Sequence, residues 1–316
     1  MRARAAHPRL GYLLVVSAAI IFGVNGGVSR VPIHAGLAVE TYTTVRVTGG
    51  FLAFALLCLV LDRGAFRMPR GRTALDLVVL GVLGVAFLQW TYNIAVVRLP
   101  LGVALLLEYL APVYVVLWVR FVRRETVHPR VWPAIAVAIV GLALVGEIWD
   151  GLTLDGFGVV MAVLAGLCFA LYFLQGERLT GTDLSSLQIV LWSFGVATIV
   201  MNLIEPAWKA GALANEASLL GRFEDVTVPA WSAMVFVVII GTVVPFFLYL
   251  SALRHLSSTV ASVVAMLEPI VATLVGWAWF HEILSTVQVL GVLAVVAGIV
   301  LAQTARRVPE ELPPTV

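Results

Sequence analysis

Two glutamates stand inside long apolar runs, each with a proline close by. Glu108 precedes Pro112 by one helical turn, and Glu268 adjoins Pro269 directly. An ionised side chain at mid-bilayer costs roughly 2.5–3.5 kcal/mol on insertion scales, so an acid retained there reads first as functional. A proline removes one backbone donor and frees a carbonyl of the preceding turn. Freed backbone at membrane depth is tolerated where it lines a wet cavity. A carboxylate in such a place takes up a proton or binds a substrate ammonium. The competing reading is a protonated acid hydrogen-bonded between helices as a packing device. On the face of Glu268 lie Ala261, Ala265 and Ala272, whose small side chains leave room for a cavity or for a close helix contact. Arg46 supplies the opposite charge. Its planar fork suits a carboxylate, and its place one turn inside an apolar run equally suits snorkelling to the interface.

Other polar groups recur at helical spacing. Asn25 with Ser29, and Gln89 with Asn93, are i,i+4 pairs that each put polar atoms on one helical face, to line a cavity or to pack helices. Tyr92, Tyr172, Trp192 and Tyr249 are cavity candidates by position. The stretch from His281-Glu282 reads H-E-x-x-S, so a zinc motif lacks its second ligand. Cys58 and Cys168 lie far apart in apolar segments and read as buried small hydrophobes. No metal and no cofactor are expected. No G-x-x-x-x-G-K-S/T occurs, so a nucleotide-driven motor is not recognisable. Energy is then drawn from a proton gradient, from exchange, or from the solute's own gradient. His255, at a turn, reads as an ordinary interfacial residue.

The elements that must position these residues follow from composition. Of 316 residues, 61% are hydrophobic and 12% charged, against about 45–50% and about 25% in soluble chains. Such a chain needs lipid as the solvent of its outer faces. A formal charge of +2 implies no nucleic-acid partner. A span needs about 20 mainly apolar residues, and ten candidates satisfy this: 11–29, 42–61, 77–97, 101–121, 131–146, 157–176, 186–204, 230–253, 257–280 and 285–304. The first is read as a retained helix, because it is long enough to span and no clear A-x-A site closes it. With both termini in the cytoplasm, the inside segments carry 15 Arg and Lys and the outside segments 4, which the positive-inside rule favours. The longest loop, 205–229, is expected outside, where Trp208, Leu219, Leu220 and Phe223 are placed to dock at the interface or simply to connect. Residues 305–316 are expected to form a disordered cytoplasmic tail.

The chain also repeats itself. A shift of 157 sets Gly84 on Gly241, Tyr92 on Tyr249, Ala95 on Ala252, Leu110 on Leu267, Pro112 on Pro269, Glu125 on Glu282 and Gly141 on Gly298. Each copy holds five spans, 11–146 and 157–304, and an odd number turns the second copy upside down. The basic run 120–124 after the fourth span and its uncharged-to-acidic counterpart Phe280-His281-Glu282 agree with that inversion. Inverted repeats recur in secondary transporters, where the two halves exchange conformations to open opposite sides in turn.

Each copy carries an Ala-x-x-x-Leu turn, a helix with a central proline, a Glu thirteen residues on, and a helix with a late glycine. These are Ala95, Leu99, Pro112, Glu125 and Gly141, then Ala252, Leu256, Pro269, Glu282 and Gly298. In these motifs the chain resembles the EamA-domain family of the drug/metabolite transporter superfamily, over about residues 11–304. The resemblance implies an all-α protein of ten transmembrane helices in two inverted five-helix repeats, in a bacterial inner membrane, exporting amino acids or other small organic metabolites. It specifies no particular substrate. One departure is that Glu108 lies a turn before its proline whereas Glu268 adjoins its own, so the two acids are not expected to share a role. The leading expectation is a secondary exporter with a small organic solute as partner, the lipid bilayer around it and a proton as a possible coupling ion. The rivals are an intramembrane lipid-modifying enzyme, which would need converging nucleophile, base or metal ligands, and a passive solute or lipid facilitator.

Overall fold

A computed structural model describes residues 7–99, 101–146, 155–280 and 285–304. Helix makes up 81% of it. Among the described residues, eight helices are long and apolar enough to cross a membrane: α1 (Pro8–His34), α2 (Val39–Leu61), α3 (Arg72–Arg98), α4 (Val103–Val122), α6 (Gly156–Thr180), α7 (Ser186–Ile204), α8 (Ala230–Ala252) and α9 (Ser258–Phe280). Two shorter apolar helices are α5 (Val131–Val145) and α10 (Thr286–Thr304). The chain is thus a helical, multi-pass membrane protein. Helices prevail because no water reaches mid-bilayer and every backbone group must be paired within the segment. Leu52, Leu56, Val60, Ile199 and Leu203 stand exposed on the outer faces, where lipid is their solvent.

Several helix bounds move from the expected ones. Pro8 opens α1, at a position where its missing N–H costs nothing. Helix α2 begins at Val39 rather than 42, which sets Arg46 two turns deep instead of one. Side-chain oxygens of Asp155, Ser185 and Ser257 accept from backbone N–H groups at the starts of α6, α7 and α9, satisfying donors that helix starts leave open.

The helices pack crosswise between the two halves. Helix α1 lies on α8 and α9, while α6 lies on α3 and α4. Helices α5 and α10 run antiparallel in close contact. A Cβ on Gly141 would meet the Gly291 carbonyl at 2.7 Å and Val295 Cγ2 at 2.8 Å, and one on Gly298 would meet the Ala134 carbonyl at 2.7 Å and Ala138 Cβ at 2.8 Å. Only glycine permits backbones this close.

The turns sort to two ends. At the near end, His7 lies against His255, Ser185 hydrogen-bonds Asp62, and Gln188 reaches the Arg67 carbonyl. At the far end, Asn215 bonds the Ala35 carbonyl and Arg98 pairs with Asp155 at 3.2 Å. The loop 205–229 departs from the all-helical expectation. It holds an antiparallel hairpin, β1 (Glu216–Ser218) with β2 (Thr227–Pro229). The carbonyls of Leu219 and Leu220 accept from Trp279 Nε1, and Phe223 meets the Trp279 ring edge-on. Trp208 is 81% exposed.

Candidate functional site

The acids sit at two helix breaks. Helix α4 interrupts its regular turns at Tyr109-Leu110 and resumes at Ala111, while α9 interrupts at Met266 and resumes at Leu267. The cause in each case is the proline just beyond, which lacks a donor and crowds the preceding turn. Glu108 therefore ends the first half of α4, and Glu268 opens the second half of α9. Gly166 of α6 seats itself over the first break. A Cβ there would meet the Leu107 and Glu108 carbonyls at 2.8 and 2.9 Å. Two further irregularities lie across from these breaks. Leu80–Phe87 in α3 and Ile239–Val243 in α8 are wide π-turns, a form often found at functional sites.

The wide turn in α8 receives Arg46. Its Nε donates to Thr242 Oγ1 at 2.7 Å and its Nη2 to the Gly241 carbonyl at 2.9 Å. The guanidinium lies 5.9 Å from the centroid of Phe22. With 8% exposure, Arg46 is held inside the bundle, not drawn out to the interface.

Two connected chambers surround these groups. The inner one, about 70 Å³, is bounded by Leu88 and Gln89, the rings of Phe22, Phe169 and Phe246, both acids, and the tyrosines 92, 109, 172 and 249. The outer one, about 250 Å³, runs along Asn25, Ser29, Asn93 and Ala272 toward Arg30 and Phe280 at the far end. Phe22, Arg46, Tyr92 and Glu268 belong to both and form the neck between them. The Tyr109 hydroxyl faces the Glu268 carboxyl. One guanidinium and two carboxyls thus border one space inside the bundle, where charge interactions are stronger than in water.

Of the residues singled out in the sequence, Glu268, Glu108, Arg46, Tyr92, Gln89, Tyr172 and Tyr249 meet at the inner chamber and Asn25 and Asn93 at the outer one. Asn93 donates to Thr43, and Ser29 accepts from Tyr42 at 2.7 Å. Trp192 lies elsewhere: its Nε1 donates to the Ala65 carbonyl near the turn after α2. Pro112 and Pro269 line neither chamber and act through the breaks they cause. His281 and Glu282 fall outside the described residues. Sequence reasoning missed Tyr109, Phe22, Phe169 and Phe246. An offset of 147, which sets Gly11 on Gly158, Ala18 on Ala165 and Phe22 on Phe169, would have found the paired phenylalanines.

The two ends differ. Toward the near end the inner chamber is backed by packed rings, with Phe169 to Phe173 at 4.9 Å and Phe173 to Tyr249 at 5.7 Å between centroids. Beyond them Glu177 of α6 ties α4 to α9. It accepts from Arg123 at 2.6 Å, from Ser258 Oγ at 2.9 Å and from Ser258 N at 3.0 Å. At the far end the Arg30 guanidinium lies over the Phe280 ring, 4.3 Å from its centroid, at the rim of the outer chamber.

Comparison with known proteins agrees with this architecture. The profile described as "EamA-like transporter family" matches the chain twice, over residues 9–146 and 156–304. An "Uncharacterized transporter" of Archaeoglobus fulgidus is 28% identical over 294 residues, covering 93% of this chain and 96% of that one. The "Threonine/homoserine exporter RhtA" of Salmonella typhimurium is 26% identical over 230 residues, 72% of this chain and 71% of its own. A solved crystal structure shares the fold, with a TM-score of 0.71 at 16% identity over 96% of this chain and 99% of that one. The named relatives are transporters, not enzymes. With the family profile covering both halves, this protein belongs to the EamA-like transporter family of the drug/metabolite transporter superfamily and is a multi-pass membrane transporter.

Proposed function

We propose that the protein is a secondary exporter of amino acids or closely related small zwitterionic metabolites, working by alternating access. The observation that carries this reading is the neck. Arg46 offers a planar, doubly tethered cation and Glu268 an acid, on opposite helices bordering the same space. A zwitterion needs one of each, and a fixed guanidinium matches a carboxylate with little further loss of freedom. Glu108 is a second acid, suited to hold a proton while Glu268 meets the substrate ammonium. The relative that exports threonine and homoserine points to the same class.

In this reading ten helices span, as two inverted repeats at 11–146 and 157–304, with termini cytoplasmic in the inner membrane. The exchange of contacts supports the inversion. Adding 157 to Ala134, Ala138 and Gly141 gives Gly291, Val295 and Gly298, and Gly141 rests on the second-half pair as Gly298 rests on the first-half pair. Such self-complementary contact is what a two-fold axis between halves produces. The chambers then open outward, with the near end closed toward the cytoplasm.

The test is flux. Purified protein in sealed proteoliposomes should exchange a labelled neutral amino acid for an unlabelled one without altering it. Conversion of lipid or solute without vectorial movement would favour an enzyme. Movement that only dissipates a gradient, with no exchange, would favour a passive facilitator.

A further inference from the structure

Most polar groups that face the chambers are already engaged. Arg46 holds Thr242 and Gly241, Tyr42 donates to Ser29, Asn93 donates to Thr43, and the Tyr172 hydroxyl donates to the Phe246 carbonyl at 3.2 Å. Of the inner chamber's side chains whose polar atoms are fully buried, two lack a partner among the described residues. Gln89 is 5% exposed, and neither its Nε2 nor its Oε1 meets a partner among the described residues. Tyr249 is 1% exposed, and its hydroxyl meets none either. A buried polar group left unpaired costs roughly 1–3 kcal/mol, so unpaired groups lining a cavity mark what its occupant must supply.

Much of the rest of the inner wall is apolar: Phe22, Leu88, Phe169 and Phe246. The position equivalent to Gln89 in the second half, at an offset of 157, is Phe246. The chamber is therefore greasy on one side and carries an uncommitted amide and phenol. It is reached past Arg46 and Glu268 at the neck. A zwitterion held there by its charged groups directs its side chain inward, onto Gln89 and Tyr249.

We propose that Gln89 and Tyr249 are specificity-determining residues that select a short, uncharged amino acid whose side chain carries a hydroxyl or an amide. This rests on the amino-acid reading above and deepens it. An apolar isostere entering the chamber leaves the amide and the phenol unpaired, and sites built this way discriminate far more strongly than a missing methylene does.

The experiment is exchange in proteoliposomes of the full chain, with labelled L-threonine inside and unlabelled competitors outside. Two near-isosteric pairs are compared, threonine with valine and asparagine with leucine. The parent should prefer the polar member of at least one pair by about tenfold or more. Gln89→Leu and Tyr249→Phe should each reduce that preference about five- to tenfold, mainly by improving exchange of the apolar member. Trp192→Phe, whose indole serves the Ala65 carbonyl away from both chambers, should leave the ratio unchanged and so separates recognition from packing. A parent that prefers valine and leucine, a parent that prefers lysine to threonine, or unchanged ratios in both active variants would overturn the proposal. Failure of every amino acid to exchange would instead remove the transport reading beneath it, and this proposal with it.

Discussion

Replacing Arg46 by lysine keeps the charge and removes the fork. In the parent, Nε and Nη2 are spent on Thr242 and the Gly241 carbonyl, at 2.7 and 2.9 Å. On the proposed reading, Nη1 is then the group that meets a ligand carboxylate at the neck. A lysine ammonium is a single point donor on a flexible stem. It cannot hold the wide turn of α8 and the carboxylate with the same geometry, so at least one charge-assisted hydrogen bond is lost. Such bonds contribute about 1.5–3 kcal/mol each, and every 1.4 kcal/mol is about tenfold in affinity. Arg46→Lys should therefore weaken substrate binding by about 10- to 150-fold. Titration of the purified protein in detergent reads the affinity, and thermal unfolding of the same sample reports whether α8 has loosened. Thr242→Val is the companion variant: it removes one tether without touching the cation and should cost affinity less than Arg46→Lys does. An Arg46→Lys protein that binds within twofold of the parent would show that the guanidinium is a strut between α2 and α8 and not part of the site.

Other expectations follow from the same geometry. Glu268→Gln should abolish exchange while leaving a folded protein in the membrane, and Glu108→Gln should retain exchange but lose any dependence on a proton gradient; reversed outcomes would exchange the two roles. Glu177→Gln weakens the tie among Arg123, Glu177 and Ser258, so a cysteine placed at Phe173 in a background without Cys58 and Cys168 should react several-fold faster with a polar thiol reagent, and an unchanged rate would remove Glu177 from the closure. Gly141→Leu and Gly298→Leu drive side chains into backbone at 2.7 Å and should each destabilise by at least about 1–3 kcal/mol in detergent unfolding; tolerance of either would deny that α5 and α10 pack this tightly. His255 is drawn below its ordinary value of 6.5 by burial, by His7 and by Arg254, and its Nδ1 accepts the His7 N–H at 3.4 Å. Its folded form favours the neutral ring, so its contribution is present above about pH 6.5 and is lost as pH falls through the folded value; protection from hydrogen exchange at residues 9–11, relative to the intrinsic rate at each pH, should fall in acid, and pH-independent protection would contradict this.

Much of this arrangement could be read before any coordinates, and the parts that could not have physical reasons. Glu108 and Glu268 stood out because a charge inside an apolar run is costly, and the prolines beside them forecast the helix breaks. The offset of 157 tied Gly84 to Gly241 and Gly141 to Gly298, but it could not say that Gly241 would receive Arg46. That contact joins residues 195 apart and arises from a wide turn with no signature in the local sequence. Arg46 suits the interface as well as a site when α2 is taken to start at 42, and three extra residues place it one turn deeper. Trp192 and Tyr172 looked alike as aromatic residues within spans, and only helix rotation sends one to the Ala65 carbonyl and the other to the inner chamber. The hairpin at 216–229 was invisible because three-residue strands carry too little alternation to separate from a loop.

The central claim is that the neck binds a zwitterion through Arg46 and Glu268 together. Its most direct measurement is the affinity of the purified protein for three ligands with one side chain: L-threonine, its amide, which lacks the carboxylate, and the matching 2-hydroxy acid, which lacks the ammonium. Threonine should bind at least about tenfold more tightly than either analogue, as expected when a charge-assisted contact is removed. Arg46→Lys should reduce the gap to the amide, and Glu268→Gln should reduce the gap to the hydroxy acid. If the parent binds all three alike, or if each variant narrows the wrong gap, the neck does not read the two charges and the account of this site is wrong.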